Sequence, residues 1–344
     1  MVNHLLGFLV VLTCFLPTFS DKRLSMLMPN VQPTQPETYL CTSYKMNKRD
    51  YEYIVKFEPN ATMHVAHHIL IYGCEEPGYL ERDTPRVVWE CGEMAGLKSE
   101  YRRAPTCNSG SQVIYAWAKD APALQLPEGV GFKVGKGTDV KFLVLQVHYA
   151  SVKNFINGGT DNSGIILTIK PGNDKSVSKR AGVYLLGTAG EIPPKRTEYM
   201  ETACTINEPL VLHPFAFRTH THVLGEVVAG YVKKGKRWKR IGKHNPQEPQ
   251  MFYPVEDKTL TIKHNDVVAA RCTMYNFRNR ITYVGATAED EMCNFYIMYY
   301  TNGDQILDQK YCFSAGPPNY YWDTDPQIGN PPAWINRDAS SLYK

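Results

Sequence analysis

Apolar and polar positions alternate with a period of two over many short stretches of this chain. Residues 51–57, 65–72, 140–149, 164–170, 215–223, 267–272 and 293–300 carry the signal most clearly. They are rich in β-branched and aromatic residues and are closed by Gly, Pro, Asn or Asp, which set turn backbones. No stretch keeps an i, i+3, i+4 apolar pattern over three helical turns. The pattern predicts an all-β protein made of antiparallel, jelly-roll-like β-sandwiches, since a strand with one apolar face needs a second sheet to cover it. A polar stretch at 171–180 interrupts the strands and predicts two domains, 21–172 and 173–316. Residues 317–344, rich in Pro, Asn and Asp, are predicted to form an extended C-terminal tail.

Composition narrows the class. Of 344 residues, 43% are hydrophobic and 21% charged, enough apolar material for two cores and too much for a disordered chain. Residues 5–16 form an apolar run too short to span a bilayer, with Thr18 and Ser20 as small residues before Asp21; this predicts a signal peptide over 1–20. No other segment predicts a membrane span. Outside that signal the cysteines are Cys41, Cys74, Cys91, Cys107, Cys204, Cys272, Cys293 and Cys312, an even set that predicts four disulfides in an oxidising compartment. Their pairing is open at this level. Asn60 opens the sequon Asn60-Ala61-Thr62, a candidate glycosylation site. The expected location is the secretory-granule lumen or outside the cell. The net charge of +4 is mild, and its densest cluster, 233–243, is interleaved with Gly235 and Gly242. It reads as a solvated loop rather than a nucleic-acid surface.

Histidines carry the candidate chemistry. His67 and His68 are adjacent, so on a regular strand they face opposite ways and can share a metal only at a bend or strand end. One buried and one exposed imidazole is the plainer alternative. His148 ends an apolar strand and taken alone is an ordinary core or rim residue. The segment 215–222 is sharper: a period of two places Arg218, His220 and His222 on one face, and an H-x-H pair on a strand directs two imidazoles to the same side. On another strand Met292, Asn294, Tyr296 and Met298 share a face. Imidazoles accept several metals, while a thioether selects copper. No H-E-x-x-H motif is present to indicate a zinc hydrolase. Spacing alone does not bring His220 and His222 to Met292.

The stretches 63–74 (MHVAHHILIYGC), 126–132 (LPEGVGF), 144–149 (VLQVHY), 220–225 (HTHVLG), 245–255 (NPQEPQMFYPV) and 290–300 (DEMCNFYIMYY) add a family signal. In content and order they resemble peptidylglycine α-hydroxylating monooxygenases, from about Ser25 to Cys312. The resemblance implies two β-sandwich domains facing across a cleft, with two copper ions, one on His67, His68 and His148 and one on His220, His222 and Met292. It implies ascorbate as reductant, O2 as co-substrate, and glycine-extended peptides as substrates. Their carboxylate would be held by Arg218, Asn294 and Tyr296. It also implies the pairings Cys41–Cys91, Cys74–Cys107, Cys204–Cys312 and Cys272–Cys293. One family disulfide is missing, because Asn162 stands where its second cysteine would be. No appended lyase domain is expected, so a separate lyase would complete amidation. Two other readings remain: a dopamine β-monooxygenase-like amine hydroxylase, which has no need of a carboxylate clamp, and a non-catalytic secreted binding protein whose histidines are structural.

Overall fold

The computed structural model describes residues 21–80, 87–92, 100–285 and 289–343. The expected signal peptide, with Cys14, lies outside the described residues. The longer strands in the first part are β1 (Lys22–Leu27), β2 (Thr38–Lys45), β3 (Tyr51–Asn60), β4 (His68–Cys74), β5 (Gln112–Ala118), β6 (Val130–Gly135), β7 (Phe142–Tyr149) and β8 (Gly164–Pro171). Those that follow are β9 (Lys179–Thr188), β10 (Thr197–Thr205), β11 (His213–Thr221), β12 (Gly225–Lys234), β13 (Arg237–His244), β14 (Val267–Tyr275), β15 (Cys293–Asn302) and β16 (Tyr311–Ser314). The chain is nearly all β, as the period-two pattern predicts.

Two sandwiches result. In the first, β1-β8-β3-β6 packs on β2-β7-β4-β5; in the second, β9-β15-β11 packs on β10-β14-β12-β13. The two are continuous through one sheet, because β6 pairs in parallel with β9 at Val130↔Lys179 and Gly131↔Arg180. Alternation along β15 explains why this sheet can be covered on both sides. Cys293, Phe295, Ile297 and Tyr299 enter the core of the second sandwich, while Tyr296 and Met298 pack with the core of the first. A cavity of about 780 Å³ opens between the two halves beside that second face.

Four disulfides join Cys41–Cys91, Cys74–Cys107, Cys204–Cys312 and Cys272–Cys293. These are the pairings that the resemblance implies. Asn60 is exposed at the end of β3. Among the described residues no helix is long and apolar enough to cross a membrane.

Two expectations need correction. Residues 233–243 are not a loop but the heart of the β12–β13 hairpin, turning at Gly235 with φ +58°. Its charges pair: Lys234 with Asp266 and Lys239 with Asp257, while Arg240 and Lys243 are covered by the C-terminal segment and pair with Asp338. The stretch 317–344 is not extended along its length. It makes a 3₁₀ turn at Trp322–Thr324 and the helix α1 (Ala333–Ser340), and buries Trp322, Ile328, Ile335 and Ala339 against Ala229, Tyr231 and Ala269 of the outer sheet. Arg271 anchors it, pairing with Glu201, stacking on Trp322 and donating to Asn336 Oδ1 at 2.7 Å.

Candidate metal centres

The first cluster forms where β4 begins beside the end of β7. His68 is the first residue of β4 and the register partner of His148, while His67 precedes the strand and donates its backbone N–H to the His148 carbonyl. The strand-end condition for adjacent histidines is therefore met, and both rings turn to one side. Donor nitrogens of His67, His68 and His148 all lie within 4.8 Å of one another. The Nδ1 atoms of His67 and His148 are 3.4 and 3.3 Å from His68 Nδ1. Nitrogens each about 2.0–2.1 Å from a central ion sit about 3 Å apart, so the cluster fits a metal with little rearrangement.

Surrounding residues fix these rings. His148 Nε2 lies 2.8 Å from Glu37 Oε2, so an Nε2–H donated there leaves the Nδ1 lone pair facing the cluster. That contact, followed by the charge of His148, holds the Glu37 carboxyl below its ordinary range despite partial burial. Tyr39 stacks on His148 at 4.1 Å with the planes 5° apart. Burial drives His68 well below the usual imidazole value, with the neighbouring His148 and His67 adding to the effect. His67 is open to the cavity, yet the cleft walls desolvate it and lower its pKa too, with His148 contributing. Neutral imidazoles are the ligand form.

The second group sits across the cavity on β11 and β15. His220 pairs in register with Asn294, and Arg218 with Tyr296. His222 lies just past the end of β11 and Met292 just before the start of β15. Glu291 joins them: its buried carboxylate accepts the backbone N–H groups of His222, Met292 and Leu224. The His220 Nδ1–H donates to Gln250 Oε1, and the His222 Nδ1–H donates to the Asp290 carbonyl at 3.2 Å. Both contacts leave Nε2 as the free nitrogen, the reverse of the first cluster. Burial pushes His220 down to about 3, helped by the Arg218 charge. Two imidazoles and a thioether form a donor set that suits copper. His220, His222, Met292, Arg218, Asn294 and Tyr296 all line the same cavity as His67, His68 and His148.

Arg218 is buried, and its Nε donates to the Gln250 carbonyl at 2.8 Å. Its guanidinium lies over the Tyr296 ring, and among the described residues no carboxylate pairs with it. Sequence reasoning missed Glu37, Tyr39 and Gln250. Glu37 is 111 residues from His148, and no local spacing announces it. Glu291 was missed as well, because it ends the acidic run Glu289-Asp290-Glu291, which reads as a solvated turn.

Comparison with known proteins gives the family. Residues 24–155 match the N-terminal domain of copper type II ascorbate-dependent monooxygenases, and residues 179–325 match their C-terminal domain. Peptidyl-glycine alpha-amidating monooxygenase B of Xenopus laevis is 40% identical over 94% of this chain and 35% of the relative. The Rattus norvegicus peptidylglycine alpha-amidating monooxygenase is 34% identical over 94% of this chain and 31% of its own length. Human dopamine beta-hydroxylase is more distant, 31% identical over 79% of this chain and 45% of the relative. The chain thus spans about a third of the length of the amidating relatives. With both domains matched in order around one histidine-lined cavity, this chain belongs to the copper type II, ascorbate-dependent monooxygenases.

Proposed function

We propose that this enzyme hydroxylates the α-carbon of the C-terminal glycine of glycine-extended peptides, using two copper ions, O2 and ascorbate. The observation that carries the substrate is Arg218. A buried guanidinium whose one hydrogen-bond partner among the described residues is neutral is costly to desolvate, and an incoming carboxylate supplies the missing charge. The planar fork of arginine can give a carboxylate two parallel charge-assisted hydrogen bonds. Asn294 and Tyr296, on the adjacent strand, add an amide and a phenol.

His67, His68 and His148 would hold one copper through Nδ1 atoms. His220 and His222 through Nε2, with the Met292 thioether, would hold the other. Bound copper supplies the one-electron and O2 chemistry that side chains lack. The protein's share is positioning: a carboxylate held by Arg218 puts the glycine α-carbon two bonds away, on the face that carries His220, His222 and Met292. The hydroxyglycine product still carries its C–N bond, whose cleavage we assign to a separate lyase. Four disulfides support a secreted or secretory-granule setting. The same setting suits glycosylation at Asn60.

The test is ascorbate-dependent turnover of one peptide as its glycine-extended acid and as its amide, with a phenethylamine alongside. The acid alone should be oxidised. Turnover of the amine with the peptide acid untouched would overturn the reading in favour of an amine hydroxylase.

A further inference from the structure

The turn that ends β5 has a backbone its residues do not favour. Lys119 and Asp120 both take the left-handed conformation, at φ +46° and +57°, and the Ala121 N–H closes the turn on the Ala118 carbonyl at 3.1 Å. Positive φ at both central residues is the type I′ pattern, which glycine and asparagine adopt readily and lysine does not. Such strain persists where surrounding contacts over-determine it, and it gathers at functional positions. Here those contacts are visible. The Trp117 Nε1–H donates to the Ala121 carbonyl at 3.0 Å, and Asp120 Oδ1 accepts the Met63 N–H at 2.9 Å, on the segment that leads into His67. Ala118, just before the turn, is the register partner of His68.

The turn sends Lys119 across the cavity. Its Nζ donates to the Gln247 carbonyl at 3.1 Å, and both residues line the cavity wall. Gln247 belongs to the segment 245–253, which holds the second group of side chains from behind. Its Nε2 donates to the carbonyls of His222 and Gly225 at 2.7 and 2.9 Å. Three residues on, Gln250 Nε2 donates to the Thr221 and Pro246 carbonyls, and Gln250 Oε1 accepts the His220 Nδ1–H. The backbone carbonyl of Gln250 accepts the Arg218 Nε–H. Phe252 then enters the core of the first sandwich, with Met251 packed against it. One short segment of the second half therefore rests on the first half at Lys119 and at Phe252. Between those two points it holds His220, His222 and Arg218.

The halves are also joined at the β6–β9 seam, beside which Lys133 pairs with Asp304 and Lys310 with Asp139. Gln112, the first residue of β5, lines a separate cavity of about 500 Å³ together with Asp139 and Lys310. From there β5 runs toward His68, which puts Lys119 about 20 Å from Gln112 at about 3.3 Å per residue. Two bodies joined along one seam can rock about it, and a tie far from the seam resists that motion with the longest lever. We infer that Lys119 and the 245–253 segment form a brace across the cavity, through which the first half sets the positions of His220, His222 and Arg218 in the second. Lys119 is a positioning residue, since it bonds to the backbone of Gln247 and to none of those side chains. An ammonium donating to a carbonyl is a charge-assisted bond, so its loss loosens the brace without unfolding either sandwich. The inference rests on the glycine-extended reading for its activity readout alone.

The experiment compares Lys119→Met, which keeps the length and removes the ammonium, with Lys119→Arg, which restores a cation. In copper-free protein, hydrogen exchange at 245–253 should be several-fold faster in Lys119→Met, while β9 and β15 keep wild-type rates. In the copper-loaded enzyme, kcat for a glycine-extended acid should fall about three- to tenfold with KM within about twofold, because Tyr296 still covers Arg218. Lys119→Arg should recover most of both losses. Wild-type exchange in Lys119→Met overturns the brace. Faster exchange spread evenly over both halves also overturns it, by showing general destabilisation. Local loosening with an unchanged kcat overturns the positioning role. An arginine variant as impaired as Lys119→Met overturns the part given to the charge. Absence of turnover on glycine-extended acids in wild type overturns the substrate reading, and the exchange measurement then decides the brace by itself.

Discussion

The Arg218 guanidinium carbon sits 4.8 Å from the centroid of the Tyr296 ring, its register partner on the next strand. The ring covers one face of the cation and leaves its edge as the route for hydrogen bonding. Arg218→Gln keeps a polar side chain but removes the charge and the fork. It should cost on the order of 2–5 kcal/mol of productive binding, as for truncating a buried hydrogen-bonded charge pair. Copper content should be unchanged, since Arg218 lies outside both proposed ligand sets. The measurement is kcat/KM for the glycine-extended acid together with metal analysis, and a wild-type rate in the variant would remove Arg218 from substrate binding.

Met292 is only partly buried and its sulfur lies 3.9 Å from Asn294 Nδ2. Met292→Ile preserves apolar volume and removes the thioether. The fold and the all-histidine copper should survive, so copper should fall from about two ions per chain towards one while hydroxylation disappears. Full activity with two coppers would show that the thioether is dispensable.

Glu291 is buried, and burial pushes its carboxyl up, while the amides of Leu224 and Met292 and the nearby His222 partly offset this. Glu291→Ala would strand the buried N–H of Leu224, at about 1–3 kcal/mol, and free the partly buried N–H groups of His222 and Met292 at a smaller cost. Thermal melting should drop clearly, and the second copper should bind more weakly, because His222 and Met292 would lose their common anchor. A variant with wild-type melting and copper affinity would contradict that positioning role.

All eight described cysteines are paired, so thiol titration of the denatured, non-reduced protein lacking residues 1–20 should find no free thiol. Each native disulfide lost should cost about 2–5 kcal/mol. A reproducible two equivalents of thiol would contradict the framework.

The strands were legible because each hides one face and alternates, and the same period placed Arg218 with His220 and His222, and Met292 with Asn294 and Tyr296. It could not bring the two strands together, since neighbour order in a sheet is set by tertiary packing; the family resemblance supplied that step. The 233–243 hairpin was misread because its exposed faces carry lysine and arginine, although buried Trp238 and Ile241 hinted at strand. The C-terminal segment was misread from its Pro and Asn content. Ile335 and Ala339, four apart and both buried, were the helical signal within it.

That C-terminal helix yields a pH prediction. Asp338 on α1 accepts hydrogen bonds from Tyr231 at 2.7 Å, Arg240 at 2.6 Å and Lys243 at 3.0 Å, and Arg240 also pairs with Glu256. Burial alone would raise the Asp338 carboxyl, but the bonds from Tyr231 and Lys243 and the charges of Arg240 and Lys243 outweigh it and hold it below its ordinary value. A carboxyl depressed in the folded state binds fewer protons there than in the unfolded chain. Its contribution is therefore complete above the unfolded value of about 3.9 and is lost as pH falls through the lower folded value. Docking of α1 should accordingly be intact at neutral pH and loosen below about pH 4. Asp338→Asn should reproduce that loosening at pH 7, at a cost of about 1–3 kcal/mol for hydrogen bonds to charged partners. Hydrogen exchange of residues 333–340, corrected for intrinsic rates, reads the docking directly. Equal protection at pH 7 and pH 3, or an Asp338→Asn variant as protected as wild type, would show that the apolar contacts of Ile335 and Ala339 alone hold the helix.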